Sequence, residues 1–399
     1  MSLPKFKKYQ FVFDFFQTRE QYPFYSQLIN STNAQPTPNK SLLVFDKLQG
    51  TIHVVKLIPP FLQPQFRAEF TDHYTALSFQ EFQGFMADFQ GFSSFEQYLQ
   101  EQMNSKMRKK LRSYVRKLES CFNITYTLHL GEISKDHYDF LFSKAHTFIS
   151  RRFQQRGDTH KLEENWDFIE RTAYDLIRSR KASLFVIYRN KEPLSICLNY
   201  HFENIIYNAM AAYDIDYYKF SLGSIDIFKQ MEWCVTNKIR IFNLGLGYMP
   251  YKTWWCNVKY TFENQVLYDR QSPLQKAMAY AYVKLFKLRQ YFRKINLDQP
   301  YHYLKSKIKV KSAAKSDLGE PEFEFIDLND QPALENAKIL DIRQPELGYL
   351  RKSIFEFQFR HSESENDIQV YEDLNRKNVF YIFGKRKLLE LRLLNNSRY

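Results

Sequence analysis

The order of periodic segments in this 399-residue chain predicts an α+β protein. In the centre, a helical pattern over residues 166–181 precedes three strand-like runs separated by short polar turns. A second helical pattern, with Ser224 as its expected N-cap, then leads into one more strand-like run. Short turns between these runs favour an antiparallel meander. The strand-like runs cover residues 183–188, 194–200, 205–213 and 239–244.

The flanking regions carry weaker signals of the same kinds. A strand-like run at residues 42–45 follows a polar, proline-containing loop at residues 30–39. Toward the other end, residues 273–293 form a basic amphipathic pattern, and residues 305–316 are typical of a linker. In the C-terminal region we expect strands at residues 354–359 and 379–383.

A basic helix is predicted over residues 93–119. Its apolar positions recur at helical spacing and are expected to be buried, whereas three arginines at four-residue intervals share another face. Such a stripe suits an anionic ligand, although a charged helical face is more often simply solvated. The apolar positions are Met107, Leu111, Tyr114 and Leu118, and the arginines are Arg108, Arg112 and Arg116.

Composition narrows the class of protein. With 44% hydrophobic and 17% aromatic residues, the chain can bury the cores of two or three globular units. The first residues lack an apolar stretch behind their charges, and no run of eighteen apolar residues occurs, so we expect a cytoplasmic protein. Four cysteines without Cys-x-x-Cys spacing argue against a zinc ribbon or a disulfide framework and are expected to be reduced, mostly in the core.

The charge is strongly asymmetric. The whole chain carries +13, but residues 320–399 hold 12 Lys or Arg against 15 Asp or Glu, which leaves +16 on residues 1–319. A field of this sign favours coenzyme A, tRNA or an anionic membrane face as a partner, and it does not define a reaction.

Glycine is placed very selectively. Between Asp158 and Leu318 the chain has only Gly223, Gly245 and Gly247. Gly223 precedes a helical pattern and is expected to use its backbone freedom in an anion cradle, formed with Ser221, Leu222 and Ser224. Gly245 and Gly247 follow a strand and predict an open strand end. A plain strand-to-helix turn is the alternative for the cradle.

Four segments carry a family resemblance: the basic helix at 107–118, residues 148–157, the turn at 212–223 and residues 242–252. Together they resemble the GNAT-fold acyltransferases of the CelD-like, cellulose-biosynthesis-associated type, which are similar to Fem-type peptidoglycan aminoacyltransferases. The resemblance covers residues 102–257 and implies a mixed sheet flanked by helices. The sequence departs from the family where Asn243 replaces a frequent Asp and Leu222 a frequent Pro, which leaves a base or a rigid loop at those positions in question.

The resemblance implies acyl transfer from acyl-CoA, expected to be acetyl-CoA, with the pantetheine along the third strand of the meander and the pyrophosphate on the turn at 221–224. Such a reaction needs a base and a proton donor for the leaving thiolate. Asp214 and Tyr213 are the candidates, and Lys252 is a third candidate that could also hold a phosphate or orient the acceptor. For each of the three, a structural or solvated role is the alternative.

Acceptor binding is assigned to basic and aromatic side chains near the same segments. Trp254 or Trp255 could form a platform, with one of the two expected in the core, and His146 is a weaker candidate base. No metal is expected, because His-x-x-x-His with a third ligand is absent, and neither a Gly-x-Ser-x-Gly elbow nor a Walker loop occurs. The substrate-binding candidates are Arg112, Arg116, Arg151, Arg152, Tyr251 and Trp254.

These observations predict a tandem GNAT-like core with a degenerate N-terminal half at residues 1–127, a catalytic half at 128–310, and a linker with an acidic accessory module at 311–399. The expected activity is N- or O-acyl transfer to a small or glycan-linked acceptor, in cell-surface polysaccharide or envelope biosynthesis. Two alternatives stay open. One is an aminoacyl-tRNA-dependent ligase for a cell-wall precursor, and the other is a non-catalytic binder of anionic glycan or nucleic acid.

Overall fold

The computed structural model describes residues 3–42, 48–156, 165–294, 321–328, 330–332 and 334–394. The strand expected at 42–45 lies almost wholly outside these ranges, as do Gly157 and the expected linker. The chain has the predicted α+β architecture, with a large mixed sheet flanked by helices. Within the described ranges the strands are β1 (Lys5–Gln10), β2 (Tyr25–Asn30), β3 (Gln35–Pro38), β4 (Thr51–Ile58), β5 (Leu62–Phe66), β6 (Tyr74–Asp88), β7 (Ile124–His129), β8 (Ala182–Arg189), β9 (Glu192–Phe202), β10 (Ile205–Tyr213), β11 (Ile241–Leu246), β12 (Val258–Asp269), β13 (Phe323–Leu328), β14 (Ala337–Leu340), β15 (Gln369–Asp373), β16 (Val379–Phe383) and β17 (Leu388–Leu393).

The helices flank the large sheet on both faces. Helices α1, α5 and α6 pack on one face, and α3, α4 and α7 on the other. The helices are α1 (Phe11–Thr18), α2 (Ala68–His73), α3 (Phe95–Gln102), α4 (Ser105–Cys121), α5 (Lys135–Gln155), α6 (Trp166–Arg178), α7 (Leu222–Thr236), α8 (Pro250–Trp255), α9 (Pro273–Lys294) and α10 (Gly348–His361).

The large sheet has nine described strands in the order β1-β4-β12-β6-β11-β10-β9-β8-β7. Its pairs are antiparallel except for β1 with β4 and β10 with β11. The predicted meander is present as β8, β9 and β10. Strand β12 lies between β4 and β6, so the expected N-terminal and catalytic halves share one sheet, and the boundary expected at 127 falls within β7.

Two secondary-structure predictions, one of a helix and one of a strand, needed correction. The helix expected over 93–119 is two helices, because Met103 is extended and Asn104 caps α4 by accepting a hydrogen bond from Met107 N. The buried positions of α4 are Leu111, Val115, Leu118 and Cys121, whereas Met107 and Tyr114 are only partly buried. The strand expected at 354–359 is also wrong, because these residues belong to helix α10.

Helix α10 joins the C-terminal region to the main core. Leu350, Ile354 and Phe355 are buried in the same hydrophobic cluster as α4 and α7, and the Phe355 ring stacks on Tyr217 with centroids 4.2 Å apart. The aromatic run at 354–359 alternates like a strand, but this helix is buried on nearly all sides. Because a helix without a solvent-exposed face does not need polar residues at helical spacing, its sequence does not show the helical period. The C-terminal region is therefore packed against the expected catalytic half rather than appended to it. Strand β16 confirms the run predicted at 379–383.

Candidate active site

Two parallel strands separate at the centre of the large sheet. Strand β10 pairs with β11 only from Ile205 to Tyr207, although β10 continues to Tyr213 and β11 to Leu246. A bulge in β10 between Asn208 and Met210 shifts its register against β9. Beyond the bulge, the edge of β10 that faces β11 is unpaired. We call the space between the separated ends of these two strands the cleft.

Backbone groups of β10 line this cleft. Asp214 N donates to Leu194 O on β9, across 2.9 Å. Because the hydrogen bonds of an antiparallel pair alternate along the strand, the N–H groups of Ala211 and Tyr213 point away from β9 and into the cleft. The Arg152 guanidinium reaches the same edge and donates to Ala211 O at 3.3 Å. The cleft therefore holds backbone donors beside a cation, an arrangement that can stabilise a developing negative charge on an oxygen.

The turn after β10 differs from the prediction in its backbone. Ser221, and not Gly223, has a positive φ, of 58°, and Ser221 rather than Ser224 is the N-cap of α7. Ser221 N donates to Tyr218 O and Ser224 N donates to Ser221 O. The predicted cradle therefore has two N–H groups without an intrahelical partner, those of Leu222 and Gly223.

Gly223 lies in close contact with the last side chain of β10. A Cβ at this position would lie 3.3 Å from Cε1 of Tyr213, so the glycine lets the last side chain of β10 pack against the first turn of α7. The Tyr213 ring is covered on another side by the Arg152 guanidinium, whose carbon lies 4.9 Å from the ring centroid. Tyr213, Arg152 and Gly223 thus come together at one end of the cleft.

Asp214 is engaged by two arginines from distant parts of the chain. Arg151 donates to Asp214 Oδ1 at 3.0 Å and to Asp216 Oδ1 at 2.8 Å, while Arg351 of α10 donates to Asp214 Oδ2 at 3.3 Å. Burial and the neighbouring Asp216 raise the pKa of Asp214, and Arg351 and Arg151 oppose this. With both carboxylate oxygens bonded, Asp214 is placed to hold the turn rather than to accept a proton from a substrate.

Lys252 is buried, in contrast to the solvated alternative. Only 5% of the residue is exposed, and its Nζ donates to Leu246 O at 2.8 Å and lies 3.4 Å from Gly245 O, at the end of β11. No ion pair joins it to a carboxylate among the residues that the structure describes. Burial lowers the pKa of Lys252 to about 8, so a neutral amine is accessible near physiological pH.

Aromatic side chains surround the mouth of the cleft on the β11 side. Trp254 is half exposed and Trp255 is buried, as expected for one of the two. Tyr251 exposes part of its ring, yet the pKa of its hydroxyl is raised by burial and then by the nearby Cys256 and Tyr213. Tyr248 and Met249 are also exposed. These residues form an apolar rim on which an acceptor could rest.

Glycines and Asn243 shape the end of β11. Gly245 and Gly247 have positive φ values of 73° and 89°, a backbone conformation that glycine adopts without strain, although Gly245 lies within β11 and not after it as predicted. Asn243 is buried, donates to the Tyr260 hydroxyl at 2.8 Å and accepts a hydrogen bond from Gly245 N at 2.6 Å. The Asn243 amide therefore supports the turn at the end of β11.

Other candidates lie elsewhere. Arg112 pairs with Glu96, Arg116 is exposed on α4, and Arg108 donates to Met103 O. No hydrogen bond or ion pair within the described part of the chain connects these arginines to the cleft. His146 is exposed on α5, with its ring 4.9 Å from that of Trp166. The structure thus brings most of the other predicted residues together but leaves this basic face apart.

Sequence reasoning missed Arg351 and the buried Asp226. Asp226 of α7 accepts a hydrogen bond from Ser195 of β9, and its Oδ1 has no partner among the described residues. Burial raises the pKa of Asp226 to about 7. No local pattern in the sequence marks Arg351.

Comparison with known proteins agrees with this geometry. Residues 105–253 match the family described as acetyltransferase (GNAT) domain, and a domain of this kind implies acyl-CoA as the cosubstrate. The two free N–H groups of α7 and the unpaired edge of β10 fit an anionic, extended ligand of that kind. The match includes the cleft, the turn after β10 and Lys252. No curated protein matches the chain.

Several solved structures show low overall similarity. The structure of L-PGS from Bacillus licheniformis is 12% identical, with 66% of this chain and 89% of that chain covered and a TM-score of 0.39. FemX is 10% identical, with 59% of this chain and 76% of that chain covered and a TM-score of 0.40. A tandem GNAT protein from the clavulanic acid biosynthesis pathway is 6% identical, with 55% of this chain and 63% of that chain covered and a TM-score of 0.27. At such values, the functional assignment depends on the family match and on the site.

The four cysteines are free and buried, as expected. Among the described residues, no helix combines the length and apolar character that crossing a membrane requires.

Proposed function

We propose that the chain transfers an acyl group, with acetyl as the expected group, from acyl-CoA to an amine or hydroxyl acceptor. The observation that carries the proposal is the separation of β10 from β11 after Tyr207, which leaves an unpaired strand edge that leads to the free N–H groups of α7. An extended pantetheine can add to such an edge through backbone hydrogen bonds, and its pyrophosphate can meet the start of α7.

In this proposal, each of the cleft residues has its own role in the reaction. Acyl-CoA supplies an acyl carbon activated as a thioester. Neutral Lys252 takes a proton from the acceptor, whose nitrogen or oxygen forms a bond to the acyl carbon. The N–H groups of Ala211 and Tyr213 stabilise the charge that develops on the acyl oxygen. The carbon–sulfur bond then breaks, and the Tyr213 hydroxyl gives a proton to the leaving thiolate.

The remaining residues position these groups. Arg152 covers the Tyr213 ring, and Asp214 with Arg151 holds the turn that presents Leu222 and Gly223. Tyr251 and Trp254 form the acceptor platform. The CelD-like type, the cytoplasmic setting and a role in cell-surface polysaccharide biosynthesis belong to the proposal as well, on the sequence resemblance alone.

Calorimetry with CoA and acetyl-CoA tests the proposal. We expect binding to the wild-type protein, and at least tenfold weaker binding to Gly223→Val, because its methyl groups would displace Tyr213. Gly348→Val is the matched control, since Gly348 also begins a helix but a Cβ added there would meet no atom within 4 Å. Equal affinity of wild type and Gly223→Val would remove the cradle from the proposal.

A second measurement addresses the rival ligase. Thioesters retained on the purified protein are identified by mass spectrometry, and free thiol release is followed with amine acceptors. An acyl-CoA enzyme gives both signals. Consumption of aminoacyl-tRNA with a cell-wall precursor, together with no response to acyl-CoA, would favour the aminoacyl-tRNA-dependent ligase instead.

A further inference from the structure

Helix α9 has two apolar faces. One face packs on the large sheet, where Ala279 and Val283 are buried with β4, β6 and β12. Gln290 fixes the distal part of the helix by donating to Gln80 O at 2.9 Å. These contacts account for the inward face and define which side of α9 is turned outward.

The outward face exposes large apolar side chains along one line. Leu274, Ala281, Leu285, Leu288 and Phe292 follow one another at intervals of seven, four, three and four residues, so they share one side of the helix. We call these five residues the outer stripe. Leu285 is 67% exposed and Leu288 is 48% exposed, and Tyr280 and Tyr291 are exposed beside them. A continuous apolar line of this kind marks an interaction surface, unlike scattered single residues.

The borders of the outer stripe are basic. Residues 273–294 contain no Asp or Glu. Lys284 and Lys287 each precede a leucine of the stripe by one residue, or 100° of helical rotation, and so lie on one border. Arg289 follows Leu288 by one residue and therefore lies on the other border. Burial lowers the pKa of Lys56 on neighbouring β4, and the nearby Lys8 and Arg289 add to this effect against Glu81.

Strand β1 extends the basic surface at the edge of the sheet. The Phe6 ring stacks on Tyr282 of α9 with centroids 5.4 Å apart, which places β1 directly beside the helix. Lys5, Lys7 and Lys8 of this strand are exposed. The helix and the strand therefore form one surface with an apolar centre and positive borders.

We propose that α9 and β1 dock this protein on the surface of an anionic lipid bilayer, with the outer stripe buried at the boundary between headgroups and acyl chains. A helix with Leu and Phe on one side and Lys on its borders is suited to lie in that interface. At about 33 Å in length, estimated from 1.5 Å per residue, α9 can contribute all of the stripe while its other face stays on the sheet.

Charge complementarity favours an anionic lipid surface over a second copy of the chain or a nucleic acid as the partner of this surface. A second copy of the chain would bring the lysines of two identical surfaces together, at an electrostatic cost. A nucleic acid would meet the lysines but leave the outer stripe exposed to water. Anionic headgroups and acyl chains satisfy both the charged borders and the apolar centre.

Vesicle co-sedimentation of the full chain tests this inference. The probes are vesicles of phosphatidylcholine alone and of phosphatidylcholine mixed with phosphatidylglycerol. We expect binding to the mixed vesicles that weakens as salt is added, and little binding to phosphatidylcholine alone. Leu285→Gln/Leu288→Gln is expected to lower the partition coefficient more than tenfold, and Lys284→Gln/Lys287→Gln about tenfold.

A matched double variant controls for the loss of any exposed apolar residue. Ile339 and Leu374 in the C-terminal region are 60% and 63% exposed, and Ile339→Gln/Leu374→Gln is expected to bind vesicles like the wild type. Circular dichroism and the thermal midpoint show whether each variant is folded.

Four results would overturn the inference. The first is the absence of wild-type binding to mixed vesicles, and the second is an equal loss in the Ile339/Leu374 control. The third is sedimentation-velocity data in which the Leu285/Leu288 variant converts a dimer into a monomer without any change in vesicle binding. Preference for tRNA over mixed vesicles at the same salt concentration would likewise contradict it. None of these results depends on acyl transfer, so the two proposals can fail separately.

Discussion

Arg351 of α10 donates a hydrogen bond to Asp214 at the end of β10, across 3.3 Å and 137 positions of sequence. Arg151 binds the same carboxylate from α5. The turn that leads to α7 is thus held between two helices, one of which belongs to the C-terminal region. The acidic region is in this way a structural support of the candidate site.

Replacing Arg351 tests this support. We expect Arg351→Gln to lower the free energy of unfolding by about 2 kcal/mol, because a buried carboxylate loses a charged hydrogen-bond donor while Arg151 remains. Urea unfolding measures the change. Arg343→Gln is the control, since the Arg343 pair with Asp341 is largely exposed, and a similar loss in both variants would argue against a special role for Arg351.

Lys252 predicts a pH dependence of stability. Its pKa is lowered from 10.5 to about 8 in the folded state, so between these values the unfolded chain binds more protons than the folded one. Stability due to this residue therefore increases with pH, by roughly 2 kcal/mol between pH 8 and pH 10. Urea unfolding of wild type and Lys252→Met over this range should show the difference.

The control for Lys252 is Lys276→Met, which removes an exposed lysine from α9. This variant should follow the wild-type pH profile. Parallel profiles for wild type and Lys252→Met would mean that Lys252 is ionised in the folded protein throughout this range, and the proposed base would have to be sought elsewhere.

The raised pKa of Asp226 leads us to expect that stability falls as the pH rises, opposite to the effect of Lys252. Its pKa is raised from 3.8 to about 7, so between these values the folded state binds more protons and stability falls as pH rises. Asp226→Asn removes the buried charge and should be more stable than the wild type at pH 7.5 by roughly 3 kcal/mol, with the gap closing toward pH 4. Thermal unfolding at several pH values measures it. Asp175→Asn, on the exposed side of α6, should show no such gap.

The turn after β11 depends on space as well as on a positive φ. A Cβ at Gly245 would lie 3.1 Å from the Tyr207 hydroxyl, whereas one at Gly50 would meet no atom within 4 Å. Both glycines have a positive φ, so an alanine costs about 1 kcal/mol at each from the backbone alone. Gly245→Ala should lose about 1–2 kcal/mol more, from crowding. Equal losses in urea unfolding would show that Tyr207 moves aside freely.

The sequence by itself predicted the segments whose structure depends mainly on neighbouring residues. The meander from β8 to β10 follows from strand-like runs separated by short polar turns, and helix α7 and the basic helix α9 follow from their helical periodicity. The cluster of three glycines also marked the region of the cleft, since a positive φ at Gly245 and Gly247 is a local requirement.

Tertiary structure alone decided the properties that depend on distant partners. Residues 354–359 alternate like a strand but are helical because α10 is enclosed by the core. Lys252 is buried because the end of β11 folds over it, and Asp214 is bonded rather than free because Arg351 arrives from the C-terminal region. Burial and long-range ion pairs are set by the packing of segments far apart in the chain, which no local spacing records.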